Sequence, residues 1–159
     1  MMRKRIIMPP HRTDPGSELD WLDIDQLAEV EITSEDAAHP IESALLLTAQ
    51  GSGWRAAGPG KQTIRLLFTN PQHLQRIRLE FEEQQTDRTQ EFVLSWSLDG
   101  GQSFKEILRQ QWNFNPQDTT SETEEYQVNL QGVTVLELAI IPDIGGGEAR
   151  ATLARLRLA

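Results

Sequence analysis

The chain has 159 residues, of which 38% are apolar and 25% charged, with no cysteine and a net charge of −9. That length holds one domain with a substantial core and is short for two. The missing cysteines exclude disulfides, thiolate nucleophiles and cysteine-ligated zinc, the absence of any 18-residue apolar run excludes a membrane-spanning helix, and acid without a basic patch argues against a nucleic-acid partner.

The start, MMRKRIIMPPHRTDPG, is basic but has only Ile6, Ile7 and Met8 as an apolar run. A signal peptide needs roughly 7–15 apolar residues, so a cytoplasmic location is expected, in keeping with the absence of cysteine. From Thr13 to Trp54 there are ten Asp or Glu and no Lys or Arg. The densest part, ELDWLDID, holds Glu18, Asp20, Asp23 and Asp25, without the alternate spacing and glycine of a calcium-binding EF-hand loop. Residues 1–27 are expected to be an acidic, partly disordered extension. Trp21 and Leu22 would anchor it if it docks on a partner or straps back onto the domain. Residues 28–159 are expected to form the domain itself.

HPIESALLLTAQ suits either a turn or two of helix or a short strand. It is followed by AQGSGWRAAGPGKQ, a glycine-rich loop carrying Trp54 and Arg55. Beyond it the period becomes two. TIRLLF sets Ile64, Leu66 and Phe68 against Arg65 and Leu67; RIRLEFE sets Ile77, Leu79 and Phe81 against Arg76, Arg78, Glu80 and Glu82. EFVLSW aligns Phe92, Leu94 and Trp96, which assigns Trp96 to the core. YQVNL aligns Tyr126, Val128 and Leu130; TVLELAI aligns Leu136, Leu138 and Ile140; ATLARLRL sets Ala154, Leu156 and Leu158 against Arg155 and Arg157. Period-two alternation gives one buried and one wet face, as in antiparallel sheets. No long 3.6-residue stripe competes with it. The prediction is an all-β antiparallel sandwich of about eight or nine strands.

Between EFVLSW and FKEILRQ lies SLDGGQSF. Its Asp-Gly-Gly centre is a strong hairpin signal: Gly100 and Gly101 supply positive φ, while Asp99, Ser97 and Ser103 bond nearby amides. The same letters match the Asp-box spacing of sialidase propellers. A propeller needs several blades of repeated sequence, and here the motif occurs once, in a chain too short for them.

A hairpin at Asp99 also orders the loops. If TNPQH and QGV are turns at the hairpin end, the long connections 49–62, 82–91, 112–124 and 142–150 gather at the opposite pole. A sandwich with long loops at one pole is a rigid base carrying a recognition rim. That rim would hold Trp54, Arg55, Arg88, Trp112 and Asn113, and His39 lies where it could reach it. Aromatic plates beside guanidinium and amide groups suit a sugar, whose C–H faces stack and whose hydroxyls take directed hydrogen bonds. They suit a protein partner as well, and either tryptophan would serve equally as a buried plug under its loop.

No nucleophile elbow, phosphate-binding loop or His-Glu-x-x-His motif is present. The acid pairs Glu82-Glu83 and Glu124-Glu125 are adjacent, so on strands they face opposite ways and make no glycosidase pair. The chain is not expected to be an enzyme, and no metal-ligand set is expected.

The run GSGWRA, QTIRLLFTNPQHLQRIRLEF, RTQEFVLSWSLDGGQSFKEI, WNFNP, YQVNLQGVTVLELAIIPD resembles the discoidin, or coagulation-factor C-domain, group of the galactose-binding-like β-sandwich superfamily. Ile77-Arg78-Leu79 matches its strand pattern, Ser97, Asp99, Gly100 and Phe104 its Ser-x-Asp-Gly-aromatic turn, and Asn113-Phe114-Asn115 a loop element after it. The resemblance implies a jelly roll whose loops at one pole bind sugars, phospholipid head groups or proteins. It covers roughly residues 28–158. IESALLLTAQGSGWRA lacks the Ala-x-Asp-Gly element that accompanies a structural calcium in many members, so that calcium is doubtful and no cofactor is expected. Flanking cysteines are missing too, which suggests an intracellular, bacterial-type version. The reading is therefore a non-catalytic module for a carbohydrate, or, as the alternative, an intracellular protein–protein interaction module of the same fold.

Overall fold

The computed structural model describes residues 21–49, 51–117 and 120–159. Its strands follow the alternation written in the chain. They are β1 (Ala28–Ile32), β2 (Trp54–Pro59), β3 (Gln62–Glu82), β4 (Arg88–Ser97), β5 (Lys105–Phe114), β6 (Ser121–Ile141), β7 (Arg150–Leu153) and β8 (Arg155–Leu158). Two single-turn helices, α1 (Ile24–Leu27) and α2 (Glu42–Leu45), accompany them. HPIESALLL thus resolves as one helical turn.

The two longest strands build both layers. β3 and β6 are 21 residues each and pair antiparallel along their length. In β3 the buried residues are Gln62, Ile64, Leu66, Phe68 and Leu74, then Ile77, Leu79 and Phe81. The inward set changes from even to odd numbers, which a regular strand forbids. The change occurs through register shifts between Leu67 and Arg76, bulges of the kind that bend a strand and raise its twist. Gly132 answers on β6 with a φ of 74°. The first half of β3 and the second half of β6 belong to a sheet ordered β1-β3-β6-β4-β5. The other halves form a second layer with β8 on the far side of β3. Phe81 and Phe92 meet across the layers with ring centroids 5.1 Å apart. A separate two-stranded sheet joins β2 to β7, Trp54 facing Leu153.

TNPQH and QGV are therefore not hairpin turns but bends inside continuous strands. Their topological effect is the same, because each bend carries the chain from one layer to the other and reverses its direction. The expected division of poles survives. At one end, Thr134 Oγ1 beside the β6 bend accepts from the Gly100 amide at 2.9 Å and donates to the Ser97 carbonyl at 2.9 Å. At the other, the Glu83 amide donates to the Thr120 carbonyl at 2.7 Å and the Ile144 amide to the Thr89 carbonyl at 2.9 Å.

The 97–103 turn has the predicted chemistry. Asp99 accepts from the hydroxyls of Ser97 and Ser103, each at 2.6 Å, and from the Ser103 amide at 2.9 Å. Gly100 and Gly101 take φ of 75° and 95°. The Ser103 and Ser97 donors hold the Asp99 carboxyl well below the usual carboxylate range.

Other expectations change. Strand β5 runs through Phe114, so Trp112 and Asn113 are strand residues, not loop residues. β2, Trp54–Pro59, likewise lies within the expected 49–62 loop. Trp96 is half-buried, packing against the core with the Lys105 ammonium 5.7 Å from its ring. Arg157, assigned to the wet face of its strand, is buried and donates to the carbonyls of Ala44 at 3.1 Å and Leu46 at 3.2 Å. It thereby caps the end of α2, whose last carbonyls have no partner within the helix. Trp21 is buried beneath the Arg76 guanidinium at 4.1 Å, the Leu22 amide donates to the Leu158 carbonyl at 2.7 Å, and Ile24 joins the core. Residues 21–27 thus pack on the body; the rest of the acidic extension, residues 1–20, lies outside the described residues.

Candidate functional site

The loop pole is organised around Arg88, the first residue of β4. It is 4% exposed, and every guanidinium nitrogen has an acceptor. Nε donates to Glu83 Oε1 at 2.7 Å, Nη1 to Gln90 Oε1 at 3.2 Å and the Pro142 carbonyl at 2.9 Å, and Nη2 to Thr152 Oγ1 at 3.1 Å. The guanidinium also lies over the Phe114 ring, 4.7 Å from its centroid. One side chain thereby ties the 82–88 connection, the segment after β6, Thr152 of β7 and the end of β5. Arg88 was expected on the rim as a ligand contact; its donors are consumed inside, and it acts as the clamp beneath the rim. Burial alone would raise the Glu83 carboxyl. The Gln85 amide, Arg88 and the Thr86 amide outweigh burial and hold it below its ordinary value.

Trp54 is also placed differently from its expected role. At 1% exposure its ring lies in the core, and its indole N–H donates to the Ser34 carbonyl at 3.0 Å. No ring face is open for stacking; the plug alternative describes it. Gly53, just before it, has a φ of 89°, and a Cβ there would lie 2.4 Å from the Leu153 carbonyl oxygen. That close approach requires glycine.

Beside Trp54 and above Arg88 opens a cavity of about 300 Å³. His39, Ser52 and Arg55 line one side; Glu82, Glu83, Gln84 and Gln85 line the other. Thr152 and Ala154 lie between, with an edge of Trp54. Arg55 Nε and His39 Nδ1, both shielded from solvent, have no hydrogen-bond partner among the described residues. His39 Nδ1 lies 3.8 Å from Asp36 Oδ2, beyond hydrogen-bond range, and Arg150 Nη1 is also 3.8 Å from that oxygen. The Ala38 amide bond, with the nearby His39 and Arg150 side chains, lowers the Asp36 carboxyl. The backbone of Arg55 is fixed on both sides: its N–H donates to the His39 carbonyl at 3.1 Å, and its C=O accepts from the Asp36 amide at 2.8 Å.

Of the five expected site residues, the structure brings Trp54 and Arg55 to this cavity, with Arg88 supporting its floor through Glu83 and Thr152. Trp112 and Asn113 stand apart on β5. Trp112 is 37% exposed. Asn113 is exposed and accepts from Thr89 Oγ1 at 2.6 Å. Sequence reasoning did not single out Glu82, Gln84, Gln85 or Ser52. The loop parity that placed 49–62 and 82–91 at one pole was the signal for them. Among the described residues no group of three or more His, Cys, Asp or Glu is arranged to hold a metal ion, and no helix is long and apolar enough to cross a membrane.

No protein-family model and no curated protein sequence matches the chain. Solved structures do. The family 32 carbohydrate-binding module of NanJ from Clostridium perfringens, in complex with galactose, superposes with a TM-score of 0.62 at 13% identity, covering 87% of this chain and 96% of that one. A second family 32 module, from a family 31 glycoside hydrolase of the same organism, gives 0.62 at 16% identity, covering 87% and 93%. The module of AlyQ in complex with 4,5-unsaturated mannuronic acid gives 0.59 at 14% identity, covering 84% and 95%. The chain thus shares the β-sandwich fold of these modules, the architecture expected from the strand pattern.

Proposed function

We propose that the chain is a non-catalytic carbohydrate-binding module that takes one sugar residue in the cavity at its loop pole. The observation that carries this reading is the polar lining of that cavity, where the Arg55 and His39 side chains stand with carboxylate, amide and hydroxyl groups around one opening at the loop pole. Each sugar hydroxyl both donates and accepts, so a mixed wall of this kind suits it better than an apolar ligand. The volume, about 300 Å³, stands at the lower end of the ~300–1,000 Å³ range of ligand pockets, which matches a single ring and not a long chain. Similar folds bind galactose and an unsaturated mannuronic acid. Of the lining acids, Glu83 is engaged by Arg88 and two amides. That leaves Glu82 without the second free carboxyl that glycoside hydrolysis requires.

Isothermal titration with galactose, N-acetylgalactosamine and galacturonic acid tests the reading. We expect at least one to bind, with affinity reduced about tenfold in Arg55→Ala, the loss of roughly 1.4 kcal/mol. If a folded chain binds none of the three at millimolar concentration, while a captured protein partner is lost in Arg55→Ala, the protein-recognition alternative replaces it.

A further inference from the structure

A second cavity, of about 230 Å³, opens between α1, β1 and α2. Its wall is made by Ile24 of α1, Ala28 and Val30 of β1, and Ile41, Leu45 and Leu46 at α2. Ile24, Ile41 and Leu45 are buried, whereas Ala28, Val30 and Leu46 are half-buried, so the cavity reaches the surface. The elements around it are held from behind. Ile24 and Leu45 belong to the core, and Arg157 donates to the carbonyls of Ala44 and Leu46 at 3.1 and 3.2 Å. An apolar hollow open to water marks a place where another apolar group docks.

The lip of the cavity says what kind of group fits. Its polar lining residues are Asp25 and Glu42, both exposed acids. Among the described residues neither has an ion-pair partner, and α1, β1 and α2 contain no Lys or Arg. The wall offers no side-chain amide, hydroxyl or cation, so a sugar's hydroxyls would go unmatched there. The fitting occupant is apolar with a cationic flank. The chain carries such a segment close by, outside the described residues. Arg3, Lys4 and Arg5 directly precede Ile6, Ile7 and Met8, the longest apolar run of residues 1–20. The described fold begins at Trp21, one short step before Ile24 and Asp25 of the cavity wall. Thirteen positions separate Met8 from Trp21, which reach about 45 Å at full extension. Within them Asp14-Pro15-Gly16 is a turn sequence, with proline second and glycine third, so the connection is long enough and has a place to reverse.

We propose that residues 3–8 dock on this cavity within the same chain. Ile6, Ile7 and Met8 cover Val30, Ile41 and Leu45, and Arg3, Lys4 and Arg5 face Asp25 and Glu42. The charge asymmetry of the first third of the chain, basic at 3–5 and without Lys or Arg from Thr13 to Trp54, fits this pairing. A short flexible tether gives an effective concentration of about 1 mM, so a contact with a Kd of ~1 mM already fills half of the cavities. The docking is independent of the sugar reading of the pole cavity.

The test is methyl NMR of the whole chain carrying a nitroxide label on Met2→Cys, which is then its only cysteine. We expect the label to weaken the Val30, Ile41 and Leu45 signals about twofold or more, as docking of at least half the chains requires. Ile107 and Leu108 of β5, the strand at the far edge of the sheet, should keep theirs. Adding Ile6→Ser and Ile7→Ser should abolish the weakening, and Asp25→Asn with Glu42→Gln should reduce it. Weakening that survives Ile6→Ser and Ile7→Ser overturns the proposal, because the tether alone then explains it. Weakening that appears on isotope-labelled chains only when they are mixed with nitroxide-labelled ones overturns it in favour of a second copy. Uniform weakening, or none, overturns it and leaves the cavity to a separate partner.

Discussion

Arg88 and Glu122 are buried to almost the same degree, at 4% and 7% exposure, near the same end of the sandwich, and their surroundings are opposite. Arg88 has an acceptor for every nitrogen and an aromatic ring beneath its plane. Glu122 has an oxygen with no partner and a second acid, Glu124, beside it. A buried charge persists only when paired and hydrogen-bonded; otherwise the group neutralises itself by shifting its pKa. Arg88 follows the first route. Glu122 follows the second: burial and Glu124 push its carboxyl up to about 8, so near neutrality it holds a proton. Completed hydrogen bonding marks Arg88 as scaffold, whereas Glu122 is accommodated as a neutral acid.

The largest expected effect comes from breaking the scaffold side. Arg88→Ala leaves the partly buried Glu83 carboxylate without its cation and the Pro142 carbonyl without its donor. Removing one partner of a buried pair costs about 3–5 kcal/mol, read as a lowered urea midpoint. Adding Glu83→Gln to Arg88→Ala should recover part of that loss, because the uncompensated charge then goes too. If Arg88→Ala is neutral, the clamp is not structural and the contrast with Glu122 collapses.

Much of this was legible beforehand. The strand faces were, because alternation reports burial directly: Ile77, Leu79, Phe81, Leu136, Leu138 and Ile140 are all core. The Asp99 turn was, because its bonds reach no further than Ser103. The bends at 69–73 and 131–134 were not, since Asn70-Pro71 and Gly132 carry the same letters as a hairpin turn. The even-to-odd change between Phe68 and Ile77 was the available clue that one strand continues through. Arg88 and Arg157 were misplaced for a different reason. A lone arginine reads as solvated, and its burial depends on acceptors distant in sequence, 54 positions away at Pro142 and 113 at Ala44. Loop parity found the pole but not the floor of its cavity, so Trp54 was placed in the right region with the wrong face outward.

A medium effect separates the two acids by pH. For Glu122 the folded value, about 8, lies above the ordinary 4.5. Between these values the folded state binds more protons than the unfolded one, so this group's contribution to stability falls as pH rises and levels off above about 8. Glu83 has the opposite sign. Its lowered carboxyl contributes stability above the unfolded value, and that contribution is lost as pH falls through the folded one. Urea midpoints should therefore show Glu122→Gln gaining on the parent between pH 5 and pH 9, with Glu83→Gln losing most at neutral pH and least in acid. Parallel profiles for the two variants would mean that the carboxyls sit in equivalent environments, contrary to their hydrogen bonding.

The smallest effect belongs to the opposite pole. Asp99→Ala removes the acceptor of two hydroxyls and an amide, one bond fewer than the four that the Arg88 guanidinium donates. Its site is exposed, so water replaces the acceptor lost by Ser103, and of the three donors only the Ser97 hydroxyl is buried. The expected result is faster amide exchange at Ser103, a small fall in thermal midpoint and unchanged sugar affinity. Because the Ser103 and Ser97 donors keep the Asp99 carboxyl ionised below the usual range, the parent turn should keep its exchange protection in mild acid, losing it only as pH falls through that lowered value. A change of sugar affinity in Asp99→Ala would show that the two poles are mechanically coupled through the bends of β3 and β6. The clamp at Arg88 would then be one end of a longer lever and not a local fixture.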